Sequence, residues 1–146
     1  MTMSLTLRLP RDAPSVPAAR RIVRTAMEQA GVAGGCVDDV ELALSEACTN
    51  ALLHAGPGDQ YDVTLDLEPE RGVIHVCDVG RGFDSAGMQR QAPRLDAERG
   101  RGLVLMKALV DRVQFTSRQQ AGTIVRLEKR LTYDDPALVG ASAARG

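Results

Sequence analysis

The sequence predicts an α+β domain, a two-layer α/β sandwich in which a mixed, mostly antiparallel sheet is covered on one face by helices. Two observations carry that prediction. The apolar residues switch between a period of two and a period of 3.6, in the order strand, helix, helix, strand, strand, a long aperiodic stretch, helix, strand, strand. The later strands also arrive as adjacent pairs around short turns, which favours hairpins over a strictly alternating parallel sheet. A length of 146 residues with 44% apolar content adds that one core, and so one compact domain, is what the chain can build.

In the segment "SLTLRLP", Leu5, Leu7 and Leu9 alternate with polar residues as a half-buried strand does, and Pro10 ends it. Residues 15 to 30 then bring Val16, Ala19, Ile22, Val23, Ala26 and Met27 onto one face of a first helix, with Gly31 as its stop. Its opposite face carries Arg20, Arg21 and Arg24, either a solvated basic face or a docking patch for an acidic partner. A second helix is expected from about Val37 to Ala55, where "GPGD" cannot continue it.

Tyr61, Val63, Leu65 and Leu67 alternate with polar residues as a strand, "PERG" turns the chain, and Val73 to Cys77 returns. Residues 81 to 102 show little periodicity, and a loop that long in a small domain reads as a mobile lid. A third helix, "GLVLMKALVDRV", should turn Leu103, Met106, Leu109, Val110 and Val113 inward. A second hairpin closes the domain at residue 131, and residues 132–146 lose both period and apolar density, as a frayed tail would.

Composition excludes several functions. A net charge of −1 provides no field to attract a polyanion, and without tryptophan, with two Phe and two Tyr, there is no aromatic platform for stacking bases. Direct nucleic-acid binding is therefore disfavoured. No apolar run approaches the ~18 residues that cross a bilayer, and the N-terminus has no signal-like apolar stretch, so a cytoplasmic protein is expected. Cys36, Cys48 and Cys77 are odd in number and widely spaced, which suits reduced, buried thiols better than a disulfide or zinc framework.

Three segments carry chemistry. In "ELALSEACTNALLHA", Glu46, Asn50 and His54 fall four residues apart, and because four residues advance a helix by about 400° they form one slightly drifting line. Asn is a poor helix former whose short amide is well suited to reach a metal ion, and Ala43, Ser45, Ala47, Thr49 and Ala51 leave room beside it. His54 reads more readily as a structural or exposed residue, and His75, inside an expected strand, reads as structural.

In "CDVGRGFD", Asp78 ends a strand ahead of Gly80 and Gly82, which could be a tight turn or a loop that lets a planar base sit close while the carboxylate accepts from its amine. In "ERGRGLVLM", Gly100 and Gly102 precede a helix, whose free N–H groups favour phosphate. Neither glycine pair fits a Walker A or Rossmann pattern.

The joint order of these segments resembles the GHKL ATP-binding superfamily, whose domain is the Bergerat fold, and within it the small bacterial anti-sigma-factor serine/threonine kinases. The resemblance covers about residues 5 to 131: "LSEACTNALLHA" matches the N box, "DVGRGFD" and "GRGLVLMKALVD" the two glycine boxes, and "AGTIVRLEK" the closing strand. It implies ATP and Mg²⁺ as cofactors, with Asn50 as the metal ligand and Glu46 as the general base toward an incoming hydroxyl.

It further implies that Asp78 receives the adenine amine, that Gly80 and Gly82 admit the base, and that Thr123 supports the base pocket. Arg99, Gly100, Arg101, Gly102 and Leu103 would close over the phosphates at the start of the third helix. The implied partners are a sigma factor and its anti-anti-sigma antagonist protein, the substrate a serine or threonine of that antagonist, and the assembly a homodimer. A non-catalytic, ATP-dependent protein-binding switch is the alternative, since a motif does not measure turnover.

Overall fold

The computed structural model describes residues 2–54, 58–78, 97–118 and 122–134. Among these, the elements follow in the order β1 (Met3–Pro10), α1 (Ser15–Gln29), α2 (Gly34–His54), β2 (Gln60–Leu67), β3 (Arg71–Asp78), α3 (Ala97–Leu109), β4 (Arg112–Arg118) and β5 (Gly122–Arg130). The strands form one sheet in the order β1-β2-β3-β5-β4. Every neighbouring pair is antiparallel, so the sheet expected to be mostly antiparallel is antiparallel throughout among the described residues.

One face of the sheet is apolar because the period-two pattern is in register across strands. Val63 pairs with Val76 and Leu65 with Ile74, and those two continue to Val125 and Leu127 on β5. All six are buried against Val23 and Met27 of α1, Val40, Leu44 and Cys48 of α2, and Met106 of α3. Each fully buried Val or Leu side chain contributes roughly 1.5–3 kcal/mol of transfer free energy, and this layer is the core.

The ends of α1 are set by local chemistry. The Asp12 carboxylate accepts the Ser15 N–H at 3.1 Å, satisfying a donor that the first turn leaves open. At the other end Gly31 takes φ 84°, and the N–H groups of Gly31 and Val32 donate back to Glu28 and Met27 at 3.0 and 3.1 Å. That double bond to the last turn needs a left-handed residue, which is why a glycine stands there.

The arginines of α1 are mostly not a docking patch. Arg24 bridges Glu28, Asp38 and Glu41, and Arg20 lies 3.5 Å from Glu41, so two of the three tie α1 to α2. Arg21 is exposed.

Helix α3 departs from expectation at both ends. It begins at Ala97 rather than Gly102, since "AER" are good helix formers and an interior glycine costs only about 1 kcal/mol each. It ends at Leu109 rather than Val113, where the Lys129 ammonium donates to the Leu109 carbonyl at 2.8 Å and pairs with Asp39 of α2 at 3.2 Å. The Asp111 carboxylate then accepts the Arg130 N–H at 2.6 Å, turning the chain into β4. Met106 and Val110 are buried as expected, while Leu109 and Val113 pack at the margin of the core.

Residues 132–134, expected to fray, instead extend the fold. Thr132 accepts the Ala33 N–H at 2.8 Å, Tyr133 bridges to Val32, and its hydroxyl donates to the Pro69 carbonyl at 2.8 Å. The remainder of the expected tail and the expected lid as far as residue 96 lie outside the described residues. Cys36 and Cys48 are buried and Cys77 half-buried, all three as reduced thiols. No described helix is long and apolar enough to cross a membrane.

Candidate functional site

The site is built at one end of the sheet, where β3 finishes and β5 begins. Alternation along β3 puts Asp78 on the same face as Val76 and Ile74, and alternation along β5 puts Thr123 beside Val125 and Leu127. The β3–β5 register runs as far as Cys77↔Ile124, which leaves Asp78 and Thr123 one residue beyond its end, each on the core-facing side of its own strand. Asp78 is only 3% exposed, and its partner across β2 is the fully buried Tyr61. The Thr123 hydroxyl is buried with no hydrogen-bond partner among the described residues.

Helix α2 lies over this end. Its inward residue Cys48 contacts Tyr61, and the Tyr61 hydroxyl in turn lies 2.6 Å from Ser15 Oγ at the start of α1. Burial pushes the Cys48 thiol up to about 12, and burial likewise raises the Tyr61 phenol, so both stay neutral across the physiological range. This trio is a neutral back wall behind Asp78 rather than a reactive group. Tyr61 was not singled out from the sequence; its only signal there was a bulky amphipathic residue opening a strand directly before the chemistry-bearing one.

Glu46 and Asn50 sit on α2 beside that wall, and both are half-buried. The small residues around them are not all open space. Ala43, Ala47 and Ala51 are core contacts, and the Ser45 hydroxyl donates to the Glu41 carbonyl at 3.0 Å. The room beside Glu46 is instead on the side of α3, where Gly102 is buried against it. A Cβ added at Gly102 would stand 3.2 Å from Glu46 Oε2. The second glycine motif and the carboxylate of the first are therefore neighbours.

Gly102 does not open its helix. It is the sixth residue of α3, so its N–H falls within the helical ladder and the open donors belong to the first four residues, from Ala97 to Gly100. The glycine serves close helix packing here. Arg101 is exposed and Leu103 half-buried. Gly80 and Gly82 lie outside the described residues, as do the side chains of His54 and Arg99.

The arrangement suits an adenine nucleotide with a hard cation. Among the described residues no cluster of three or more His, Cys, Asp or Glu side chains forms a cation cage. A magnesium ion is commonly held by one or two protein oxygens together with substrate phosphates and water, so a single amide such as Asn50 is an adequate donor. A buried carboxylate and a buried hydroxyl at the adjoining ends of β3 and β5 offer the acceptor and donor that the polar edge of a base requires.

Comparison with known proteins identifies the family. Residues 9–129 match the family model described as the histidine kinase-like ATPase domain. The chain is 30% identical over 120 residues to a serine-protein kinase RsbW of Bacillus cereus, covering 75% of each. It is 26% identical over 141 residues to a serine-protein kinase RsbW of Halalkalibacterium halodurans, covering 90% of this chain and 86% of that one.

Among solved structures, a crystal structure of the RsbU and RsbW domains of a Mycobacterium tuberculosis protein superposes with a TM-score of 0.70 at 20% identity, over 90% of this chain and 33% of that one. This chain thus spans about a third of that solved chain. The histidine kinase domain of a blue-light-activated kinase from Erythrobacter litoralis superposes with a TM-score of 0.53 at 18% identity, over 80% of this chain and 61% of that one. Both likenesses bear on the fold.

Proposed function

The chain belongs to the histidine kinase-like ATPase domain family, and from that premise we propose that it is an ATP-dependent serine/threonine protein kinase of the anti-sigma-factor type. It would phosphorylate a serine or threonine of an antagonist protein and sequester a sigma factor. The relatives named serine-protein kinase RsbW support the reading. The observation that carries it is the pairing of Glu46 with Gly102, which sets a half-buried carboxylate at the junction of α2 and α3, on the helix that also carries Asn50.

Phosphoryl transfer demands mainly alignment and charge neutralisation, because its transition state is loose. Bound Mg²⁺ would supply that neutralisation, with Asn50 as its protein ligand. Asp78 would accept from the amine of adenine, and the Thr123 hydroxyl, buried without a partner among the described residues, would bond to the same base. Glu46 would take the proton of the incoming serine hydroxyl as its oxygen bonds to the γ-phosphorus and the bond to the departing diphosphate breaks.

Substitution separates these roles. Asn50→Ala should lose Mg²⁺-dependent ATP binding, whereas Glu46→Ala should keep binding and lose label transfer from γ-labelled ATP to a serine-bearing antagonist. Equal loss of binding in both would contradict the assignment. Wild-type protein that binds ATP but transfers no label would instead be a non-catalytic switch.

A further inference from the structure

Arg11 belongs to none of the four motifs, yet it is the residue that holds the end of the helix carrying two of the proposed functional groups. Its guanidinium donates from Nη2 to the Leu52 carbonyl at 3.0 Å and from Nη1 to the Gly58 carbonyl, and its own N–H donates to Asp59 at 2.9 Å. Leu52 is in the last turn of α2, where carbonyls have no intrahelical partner and the helix dipole presents its negative end. A half-buried cation placed there satisfies one of those carbonyls. At the same time it fixes the start of β2, across the connection from α2.

Asn50 is the fifth residue from the end of α2, so its own carbonyl accepts from the final residue of the helix. If the last turn opened, Asn50 would lose that bond and the amide would no longer be held in one place. Glu46, one turn earlier, is anchored within the helix and against Gly102. The two motif residues therefore differ in how much they depend on the helix end.

We propose that Arg11 is a positioning residue for the metal–phosphate part of the site, acting through the last turn of α2 on Asn50. This rests on the nucleotide-binding reading given above. Arg11 needs to touch neither nucleotide nor metal. A guanidinium is suited to the task because it can serve two carbonyls at once, which a lysine can do only in part.

The test measures ATP affinity of the full chain with Mg²⁺ and with EDTA, for wild type, Arg11→Ala and Arg11→Lys, at a temperature where each is fully folded by thermal scan. Arg11→Ala should weaken Mg²⁺-dependent binding by about fivefold, on the scale of a lost helix-end interaction. Binding in EDTA should change by less than about twofold, because Asp78 and the base pocket are untouched. Arg11→Lys should recover part of the loss.

Equal weakening with and without Mg²⁺ would reduce Arg11 to general stability and overturn the proposal, as would no weakening at all. Hydrogen exchange adds a nucleotide-free readout. Amides of residues 52–54 should exchange faster in Arg11→Ala while those near Leu44 do not, and unchanged exchange in the last turn overturns the mechanism. A wild type that shows no Mg²⁺-dependent binding defeats the underlying reading itself, an outcome distinguishable from failure of the variants.

Discussion

Replacing Thr123 by valine should make the unliganded protein more stable and the nucleotide complex weaker. The side chain keeps its β-branched shape, which suits a strand, and exchanges a hydroxyl for a methyl group. That hydroxyl is buried, so it forfeits its hydration, and no described residue replaces the lost hydrogen bonds. Leaving a polar group in that condition costs about 1–3 kcal/mol. For a chain of this size each kcal/mol moves the thermal midpoint by roughly 2–4 °C, which places the expected rise between about 2 and 12 °C.

The opposite effect appears when ATP is added. A net hydrogen bond of about 0.5–1.5 kcal/mol, lost from the complex, corresponds to roughly two- to tenfold weaker affinity. Thermal scans of wild type and Thr123→Val, with and without saturating Mg-ATP, read both quantities in one experiment. The reasoning fails if the midpoint of the unliganded variant falls, because the hydroxyl would then have a protein partner. It fails equally if ATP affinity is unchanged, because Thr123 would then stand outside the pocket.

Gly102→Ala gains about 1 kcal/mol of helix propensity but pushes a methyl to 3.2 Å from Glu46 Oε2, displacing a flexible carboxylate by a few tenths of an ångström. Its thermal midpoint should hold or rise while phosphotransfer falls by roughly tenfold, as a misplaced general base would cause; unchanged turnover would detach Glu46 from the chemistry. His75 has its pKa lowered from 6.5, chiefly by burial and then by Arg126 opposite it, with Asp66 acting weakly the other way. The unfolded chain therefore binds the proton more readily, so stability should be full above pH 6.5 and decline as pH falls below it, and His75→Gln should flatten that slope in a urea-midpoint series against pH. Cys48, fully buried with its thiol raised to about 12, should resist alkylation at pH 8 until the protein unfolds, whereas Cys77 reacts in the native state; mass spectrometry of the native adduct distinguishes them.

What the sequence revealed follows from the range of each interaction. The strands β1 and β2 alternate so regularly that their core faces could be assigned residue by residue, and Gly31 marked the end of α1 through a backbone conformation only glycine adopts easily. The start of α3 was misread because Gly100 and Gly102 look like punctuation. A glycine can equally sit inside a helix to let another element approach, and only the position of Glu46 in space discloses that.

The arginines of α1 were ambiguous for the same reason, since their acidic partners lie on the next helix rather than along their own. Residues 132–134 carry no periodic pattern, and their order comes from backbone bonds to the α1–α2 junction. Within the candidate site, Glu46, Asn50, Asp78 and Thr123 could be named from motif order, whereas Tyr61 and Arg11 act through contacts more than 40 residues away along the chain.

The docking of Tyr133 against Val32 and Pro69 also has a practical consequence for anyone handling the molecule. Met3 and Tyr133 line the same apolar cavity, of about 280 Å³, at the pole where β2 ends and β3 begins, while Asp78 and Thr123 stand at the other pole. A fluorophore or surface tether placed on either of those two residues would stand at the pole away from Asp78 and Thr123.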